Sequence, residues 1–439
     1  MYQILKPKQI VNIQPLGSEC EVEELLGSGG QGEVYRVNLS GSKLALKWYY
    51  PHQATSEQKE ALEKIIKIGI PNKCFLWPMD ITTAKDTPGF GYIMPLREPR
   101  YKNIVDLLKR RADPTFRTLA VACRDLSHSY LQLHSKGLCY RDISFGNVFF
   151  DPQSGEILIC DNDNVAVNKL TKSGVLGTPK FMAPEIVRGE ADPSTQTDLY
   201  SLAVLMFYML MVHHPLDGKK ALSIKCMDLP AMEKLYGKEP LFIFDPFDRS
   251  NEPDIVEQLN AIDYWKMYPQ FLKLLFIKAF TDGLKDPDRR VRESEWREAM
   301  ERLQDSIFYC SCSLENFYDP DSLKALGGKP GTCWSCNKEL QLSPRMRIGK
   351  NNIVMLNLDT KLYPHHIDNM QTHNFTAPVG EISRNPNNPN IWGLKNLSKT
   401  KWVITTADGT VKDIEPQRSL TLADGTKINF GNTEGEIRK

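Results

Sequence analysis

The order of residue patterns on either side of Tyr140–Asn147, YRDISFGN, constrains this 439-residue chain more than any other feature. β-Prone sequence comes first and helical sequence later. A β-rich start runs to about Tyr50, with Leu44–Trp48 (LALKW) reading as a strand. A helical stretch at about Ser56–Ile68 stops at Gly69 and Pro71. Strand-like pieces recur at Phe75–Ile81 and Phe90–Leu96, and the apolar spacing over 114–137 is helical. After the YRDISFGN loop come two short strands, Val148–Phe150 and Glu156–Cys160, and a long helical remainder to about Phe308. Strands first and helices afterwards predict an α+β domain over 1–306, with one lobe at about 20–96 and a second at about 97–306.

Composition narrows the class of partner. Hydrophobic residues make up 41% and charged residues 25%, with a net charge of +1. That balance suits an ordinary soluble chain and favours neither a nucleic acid nor a membrane surface. The start, MYQILKPKQIV, lacks the apolar core and small-residue cleavage site of a signal peptide. The longest apolar run, Leu199–Val212, is too short to span a bilayer and reads as a buried helix. A cytoplasmic protein is expected. Six of its ten cysteines, Cys20, Cys74, Cys123, Cys139, Cys160 and Cys226, are scattered singly and read as reduced thiols.

Residues that could handle phosphate cluster early. LGSGGQGEV holds Gly27, Gly29 and Gly32 in a G-x-G-x-x-G pattern, followed by Val34. The same triplet occurs in dinucleotide folds, but there the third glycine opens a helix. Here it opens EVYRV, an alternating strand. A glycine hairpin of this kind lets backbone amides approach phosphate oxygens without a side chain intervening. Lys47 follows on the next strand, two residues after the small Ala45.

Further matches fall in register behind these. Asp142 and Asn147 have the spacing of H-R-D-x-x-x-x-N. Asp161 follows the EILIC strand, GTPKFMAPE spans Gly177–Glu185, TDLYSLAVLMFYML supplies a long apolar helix, and DPDRRV covers Asp286–Val291. With these motifs residues from about 20 to 306 resemble the eukaryotic-like (Hanks-type) serine/threonine protein kinase family. The resemblance implies a two-lobed protein kinase fold that uses ATP and Mg²⁺ (or Mn²⁺) to phosphorylate protein hydroxyls. By it Asp142 is the base, and Asn147 and Asp161 carry the metal. Lys47 holds the phosphates and pairs with a helix glutamate, with Glu63 preferred and Glu60 the alternative. Leu26, Gly27, Gly29, Gly32, Val34, Ala45 and Met94 line the nucleotide. Asp198 braces the catalytic loop, and Arg290, or else Arg289, pairs with Glu185. Thr178 resembles the serine/threonine branch.

Several positions depart from the family pattern. Tyr140 replaces the loop histidine, Ser144 the lysine two residues after the base, and Asn162-Asp163 the Phe-Gly of D-F-G. The extra carboxylate of Asp163 could bind a second cation, tighten the first, or sit in solvent. Lys180 is the candidate substitute for the missing lysine. A nucleotide-binding scaffold that transfers no phosphate, a pseudokinase, is the alternative reading. By analogy Arg141 would bind a phosphate on Thr171 or Ser173. More narrowly, CYRDISFGNVFFDP, ICDNDNV and SLAVLMFYMLMVHHPLDG resemble a bacterial kinase group encoded near a PP2C-like phosphatase and a von Willebrand A-domain protein. That resemblance implies those two proteins as partners beside a protein substrate.

The character changes after Cys310. Cys310-x-Cys312 and Cys333-x-x-Cys336 offer four thiolates, enough for a tetrahedral zinc shell in a zinc-ribbon-like module at 307–345. His365, His366 and His373 read as solvated loop histidines. Arg384–Pro389, RNPNNP, looks like a linker or exposed loop, within a linker or irregular segment at 346–390. Asp408-Gly409 and Asp424-Gly425 are hairpin signals in a small β-rich domain at 391–439. It faintly resembles a forkhead-associated domain, without a clear phosphothreonine-reading motif, and is expected to dock proteins.

Overall fold

A computed structural model describes residues 3–14, 17–168, 176–350 and 352–439. Thr171 and Ser173 lie outside the described residues. The chain divides into two units, one of residues 1–265 and 274–298, the other of residues 266–273 and 299–439.

The first unit begins with six antiparallel strands, β1 (Ile10–Ile13), β2 (Ser18–Ser28), β3 (Gly32–Leu39), β4 (Ser42–Tyr49), β5 (Asp80–Ala84) and β6 (Thr87–Pro95). They close into a barrel in the order β1-β2-β3-β4-β6-β5. Side chains alternate between its two faces. Tyr35, Val37, Leu46, Trp48 and Ile93 pack inside with Val11 and Val22. The other face carries Val34, Ala45, Lys47, Tyr49, Tyr92 and Met94. Its register follows from the pairs Val34–Lys47, Ala45–Met94 and Lys47–Tyr92. This is the face expected to meet the nucleotide.

Helix α1 (Ser56–Ile68) lies between β4 and β5 and begins where the sequence places it. Thr55 caps it by accepting from the Gln58 amide, and Gly69 ends it at φ 78°. Leu62 and Ile65 are its buried residues. The Trp77 indole N–H donates to the Ile65 carbonyl at 3.1 Å, which pins the end of the helix.

Helical structure then takes over. Helix α2 (Phe116–Ser135) leads to the YRDISFGN loop, which is followed by the antiparallel pair β7 (Val148–Phe150) and β8 (Ile157–Ile159). Helix α3 (Thr195–Met211) is buried continuously from Thr197 to Met211, as its apolar sequence requires. Among the described residues no helix is long and apolar enough to cross a membrane.

The second unit is β-rich. A hairpin of Ile307–Tyr309 and Glu315–Phe317 carries the first cysteine pair at its turn. Two larger sheets follow. One places Asn352–Met355, Arg345–Ile348, Glu434–Arg438, Lys427–Asn429, Trp402–Thr405 and Val411–Ile414 side by side, and the other Lys361–Leu362, Gly380–Asn385, Asn388–Asn396 and Ser419–Thr421. Their shared core includes Met346, Ile348, Leu362, Ile382, Leu394, Trp402 and Ile428.

This corrects the boundaries expected in the tail. The segment 346–390 is no linker, and the β-rich body starts at Arg345 rather than at 391. Arg345–Ile348 pairs with the last strand, Glu434–Arg438, so the body is closed by residues far apart in sequence. RNPNNP is a hairpin tip. Asn385 faces Asn388 across it, and the Asn385 side chain accepts from the Asn387 amide at 2.8 Å. Asparagine and proline mark a tight turn here, and both signals are also those of a loop.

Gly32 shows a close approach that sequence alone attributes to phosphate. A Cβ there would lie 2.1 Å from the Trp48 carbonyl oxygen. Gly32→Ala should therefore destabilise the barrel by about 1–3 kcal/mol, the usual cost of overpacking. Denaturant titration of the full chain measures this. A midpoint equal to the wild type would contradict it.

Candidate active site

The loop carrying Asp142 is held from beneath by one carboxylate. Asp198, on α3, accepts the Tyr140 amide at 2.6 Å with one oxygen and the Arg141 amide at 2.9 Å with the other. His134, near the end of α2, adds its Nε2 to Asp198 at 3.0 Å, while its Nδ1 meets Glu293. Tyr140 fills the histidine position as an aromatic prop. Its buried ring sits 5.6 Å from that of Tyr130, and its hydroxyl donates to the Cys160 carbonyl.

Asp142 is oriented at both oxygens. Thr178 donates to Oδ1 at 2.6 Å, and Asn147 Nδ2 donates to Oδ2 at 2.9 Å and to the Asp142 carbonyl at 2.8 Å. The Cys160 amide bonds to the Asn147 carbonyl at 2.8 Å, so the residue before Asp161 is tied to this loop.

Asp161 adopts a left-handed backbone, φ 48° and ψ 44°, ahead of a short turn over Asn162–Asn164. Its side chain is 43% exposed, with Oδ1 3.6 Å from Lys47 Nζ. Asn162, in the phenylalanine position, is buried, and its Nδ2 donates to the carbonyls of Leu76 and Ile159, both at 2.9 Å. Partial desolvation raises the Asp161 pKa. Lys47 opposes that rise, and Asp163 and Asp142 reinforce it.

The lysine has a different partner from the one expected. Lys47 Nζ bonds Asp163 Oδ2 at 2.9 Å and Oδ1 at 3.0 Å, and Gln31 Oε1 at 2.8 Å. Glu63 and Glu60 are both exposed. Glu63 follows the buried Leu62 by one residue, about 100° round the helix, which turns it away from the packed face. Burial opposes the charge on Lys47, but the carboxylates of Asp163 and Asp161 outweigh it and raise its pKa. The Asp163 carboxylate is likewise held ionised, since Lys47 and the tyrosine hydroxyls overcome its desolvation. It is fully buried rather than solvated, and Tyr49 and Tyr92 donate to it at 2.6 and 3.1 Å. With four hydrogen bonds on two oxygens it has no capacity left for a second cation.

One other expectation changes. Lys180, the candidate substitute for the lysine replaced by Ser144, is engaged elsewhere, its Nζ bonding Asp217 at 2.8 Å. Arg141 directs its Nε at the Asn164 carbonyl. Arg290, not Arg289, meets Glu185, through two bonds of 2.8 Å. The glycine hairpin closes with the Gly29 amide on the Gly32 carbonyl at 2.9 Å. A Cβ on Gly27 or Gly29 would meet nothing within 4 Å, so that stretch has room for a ligand. Leu26 is exposed at 45%, while Ala45 and Met94 are buried as neighbours across β4 and β6.

Sequence reasoning missed Gln31, Tyr49 and Tyr92. Gln31 spans from Lys47 to Asn164, its Nε2 donating to Asn164 Oδ1 at 3.1 Å. The period of two puts Tyr49 on the face of Lys47 along β4 and Tyr92 on the face of Met94 along β6, and the pairing of the two strands joins them.

In the second unit the four cysteine Sγ atoms all lie within 4.8 Å of one another. Cys310 and Cys336 are 3.6 Å apart and Cys312 and Cys333 3.8 Å. A tetrahedral site with Zn–S near 2.3 Å has S–S edges of about 3.8 Å. Burial works against ionising Cys333. The amides of Cys336 and Ser335 and the Asn316 side chain prevail and bring it down to about 6. The histidines expected in solvent are packed instead. His366 meets Asp305 at 3.1 Å and His373 meets Glu301 at 2.6 Å. His365, 3.9 Å from the His366 ring, is pushed by burial down to about 4.

Comparison with known proteins finds a family and several relatives. The family described as protein kinase domain matches residues 20–262. The DNA damage-responsive serine/threonine-protein kinase RqkA of Deinococcus radiodurans is 30% identical over 220 residues, 48% of this chain and 32% of that protein. Serine/threonine-protein kinase PknL of Mycobacterium tuberculosis is 30% identical over 227 residues, 49% of this chain and 55% of PknL. Protein kinase gsk3 of Schizosaccharomyces pombe is 22% identical over 324 residues, 66% of this chain and 83% of the relative. The chain thus spans about a third of RqkA and about half of PknL.

The histidine beneath the loop gives a pH signature. Burial lowers the affinity of His134 for a proton, but Asp198 and Glu293 overcome it and raise the pKa from 6.5 to about 9. Protonated His134 therefore stabilises the fold fully below about pH 6.5, and that contribution is lost as pH rises towards 9. The total is about 3 kcal/mol. Unfolding free energy measured across this range should fall in the wild type, and His134→Gln should remove that slope.

Proposed function

The chain belongs to the protein kinase family, and from that premise we propose that it transfers the γ-phosphate of ATP to serine or threonine hydroxyls of a protein substrate. The observation that carries this reading is convergence. Lys47 and Asp161 are 3.6 Å apart, and Asp142 is fixed by Thr178 and Asn147 on a loop tied to the strand before Asp161.

Asp142 orients the substrate hydroxyl and takes its proton, with Oδ1 and Oδ2 already aimed by their two donors. Lys47 holds phosphate oxygens. Leu26, Val34, Ala45 and Met94 enclose the base, and the open backbone at Gly27 and Gly29 admits the phosphates. Asn147 and the exposed oxygen of Asp161 would hold Mg²⁺ or Mn²⁺, which supplies charge neutralisation to the phosphates. Positioning and electrostatics account for most phosphoryl-transfer catalysis, so this charged set keeps most of what the reaction needs. Ser144 and the commitment of Lys180 to Asp217 favour the second reading, a nucleotide-binding scaffold.

We also propose that Cys310, Cys312, Cys333 and Cys336 hold one structural zinc ion in a ribbon-like module, and that the β-rich tail docks proteins. Their sulfur spacing supports the first. Sequence resemblance supports a PP2C-like phosphatase and a von Willebrand A-domain protein as partners.

The purified chain should transfer ³²P from ATP to a generic protein, and Asp142→Asn should reduce transfer to background. Transfer that is absent from the wild type, or survives the substitution, ends the catalytic assignment. Elemental analysis should find one zinc per chain, and chelation should lower the melting temperature. Protein that is metal-free and equally stable would remove the zinc site.

A further inference from the structure

We infer that Asp163 is the positioning residue for Lys47, doing from inside the metal-binding turn what a carboxylate on α1 was expected to do. The inference rests on the kinase reading above and assigns a role to a residue outside its usual charged set.

Three observations carry it. Asp163 grips Lys47 with both oxygens, at 2.9 and 3.0 Å, and its side chain is 0% exposed. Tyr49 and Tyr92 fix the carboxylate from the same barrel face. A buried ammonium needs such a counter-charge, and a pair locked by further hydrogen bonds holds its geometry in a way that a solvent-exposed pair does not.

Secondly, α1 presents no acid at the point where it approaches the lysine. The residue one turn before the buried Leu62 is Gln58, and its Nε2 donates to the Tyr49 hydroxyl at 3.2 Å. A neutral amide therefore occupies the place from which a helix carboxylate would reach inward, and Glu60 and Glu63 point to solvent.

Thirdly, the two acids of Asp161-Asn162-Asp163 divide the work. Asp161 stays 43% exposed towards the cleft while Asp163 enters the core. Asn162 anchors the turn between them on Leu76 and Ile159. The lysine anchor and the metal carboxylate thus share one short turn, and setting the turn sets both. The position of α1 then need not gate the site.

Full-length variants test this by ATP kinetics and by titration with a fluorescent ATP analogue. Asp163→Asn should lower kcat/KM for ATP about 100-fold, as expected when a reacting group is misplaced by about an ångström. It should also weaken analogue binding. Glu60→Ala/Glu63→Ala should stay within about twofold of wild type. Adding Gln58→Glu to Asp163→Asn, which returns a carboxylate from the helix side, should recover about tenfold, a rescue that a purely structural role would not give.

Should Asp163→Asn not fold, Tyr49→Phe/Tyr92→Phe removes only the two hydroxyls. It should raise KM for ATP several-fold more than it changes kcat. The inference is overturned if folded Asp163→Asn keeps wild-type kinetics and binding, if Glu60→Ala/Glu63→Ala loses as much, if rescue fails, or if the tyrosine pair has no effect on KM. A wild type that binds the analogue but transfers nothing ends the kinase reading. Analogue affinity then decides the Asp163 role by the same comparisons.

Discussion

A buried ion pair between Lys47 and Asp163 organises the first unit. An ammonium and a carboxylate this far from water are tolerable only together and only when their remaining hydrogen-bonding capacity is met. Tyr49, Tyr92 and Gln31 meet it. This requirement explains why one face of the barrel is polar at its centre although Ala45, Tyr49, Tyr92 and Met94 around it are buried. It also explains why the turn after β8 enters the core. The pair joins the barrel to the turn that follows Asp161 through side chains alone.

Asp198 plays the matching part on the helical side. Its two oxygens hold two successive amides of the YRDISFGN loop, and Arg141 sits there at φ 74°. A non-glycine residue in that region is strained, and the carboxylate offsets the cost. Tyr140, where the family pattern has histidine, ties the loop to Cys160. The aromatic ring fills the core, and its hydroxyl supplies the hydrogen bond.

Much of the site was legible in the residues because its parts are local. Asp142 and Asn147 are five residues apart on one loop, and Ala45, Lys47 and Tyr49 alternate along one strand. The start and end of α1 follow from Thr55 and Gly69. Less legible were features in which one residue type serves two purposes. Gly32 reads as a phosphate glycine and is also needed where β3 crosses close to Trp48. Asparagine and proline at 384–389 read as a linker and form a hairpin tip. The histidines of the tail read as solvated because nothing local reveals Glu301 and Asp305 as their partners.

The sequence by itself determined the order of the motifs, the types of side chain available for phosphate, metal and proton, and the four sulfurs placed in two close pairs. Tertiary structure decided which acid meets the lysine. That choice depends on the rotational phase of α1 against the barrel and on a turn more than a hundred residues downstream. Neither is a property of any local stretch. The extent of the β-rich tail was settled in the same way, since its first strand is completed only by pairing with its last.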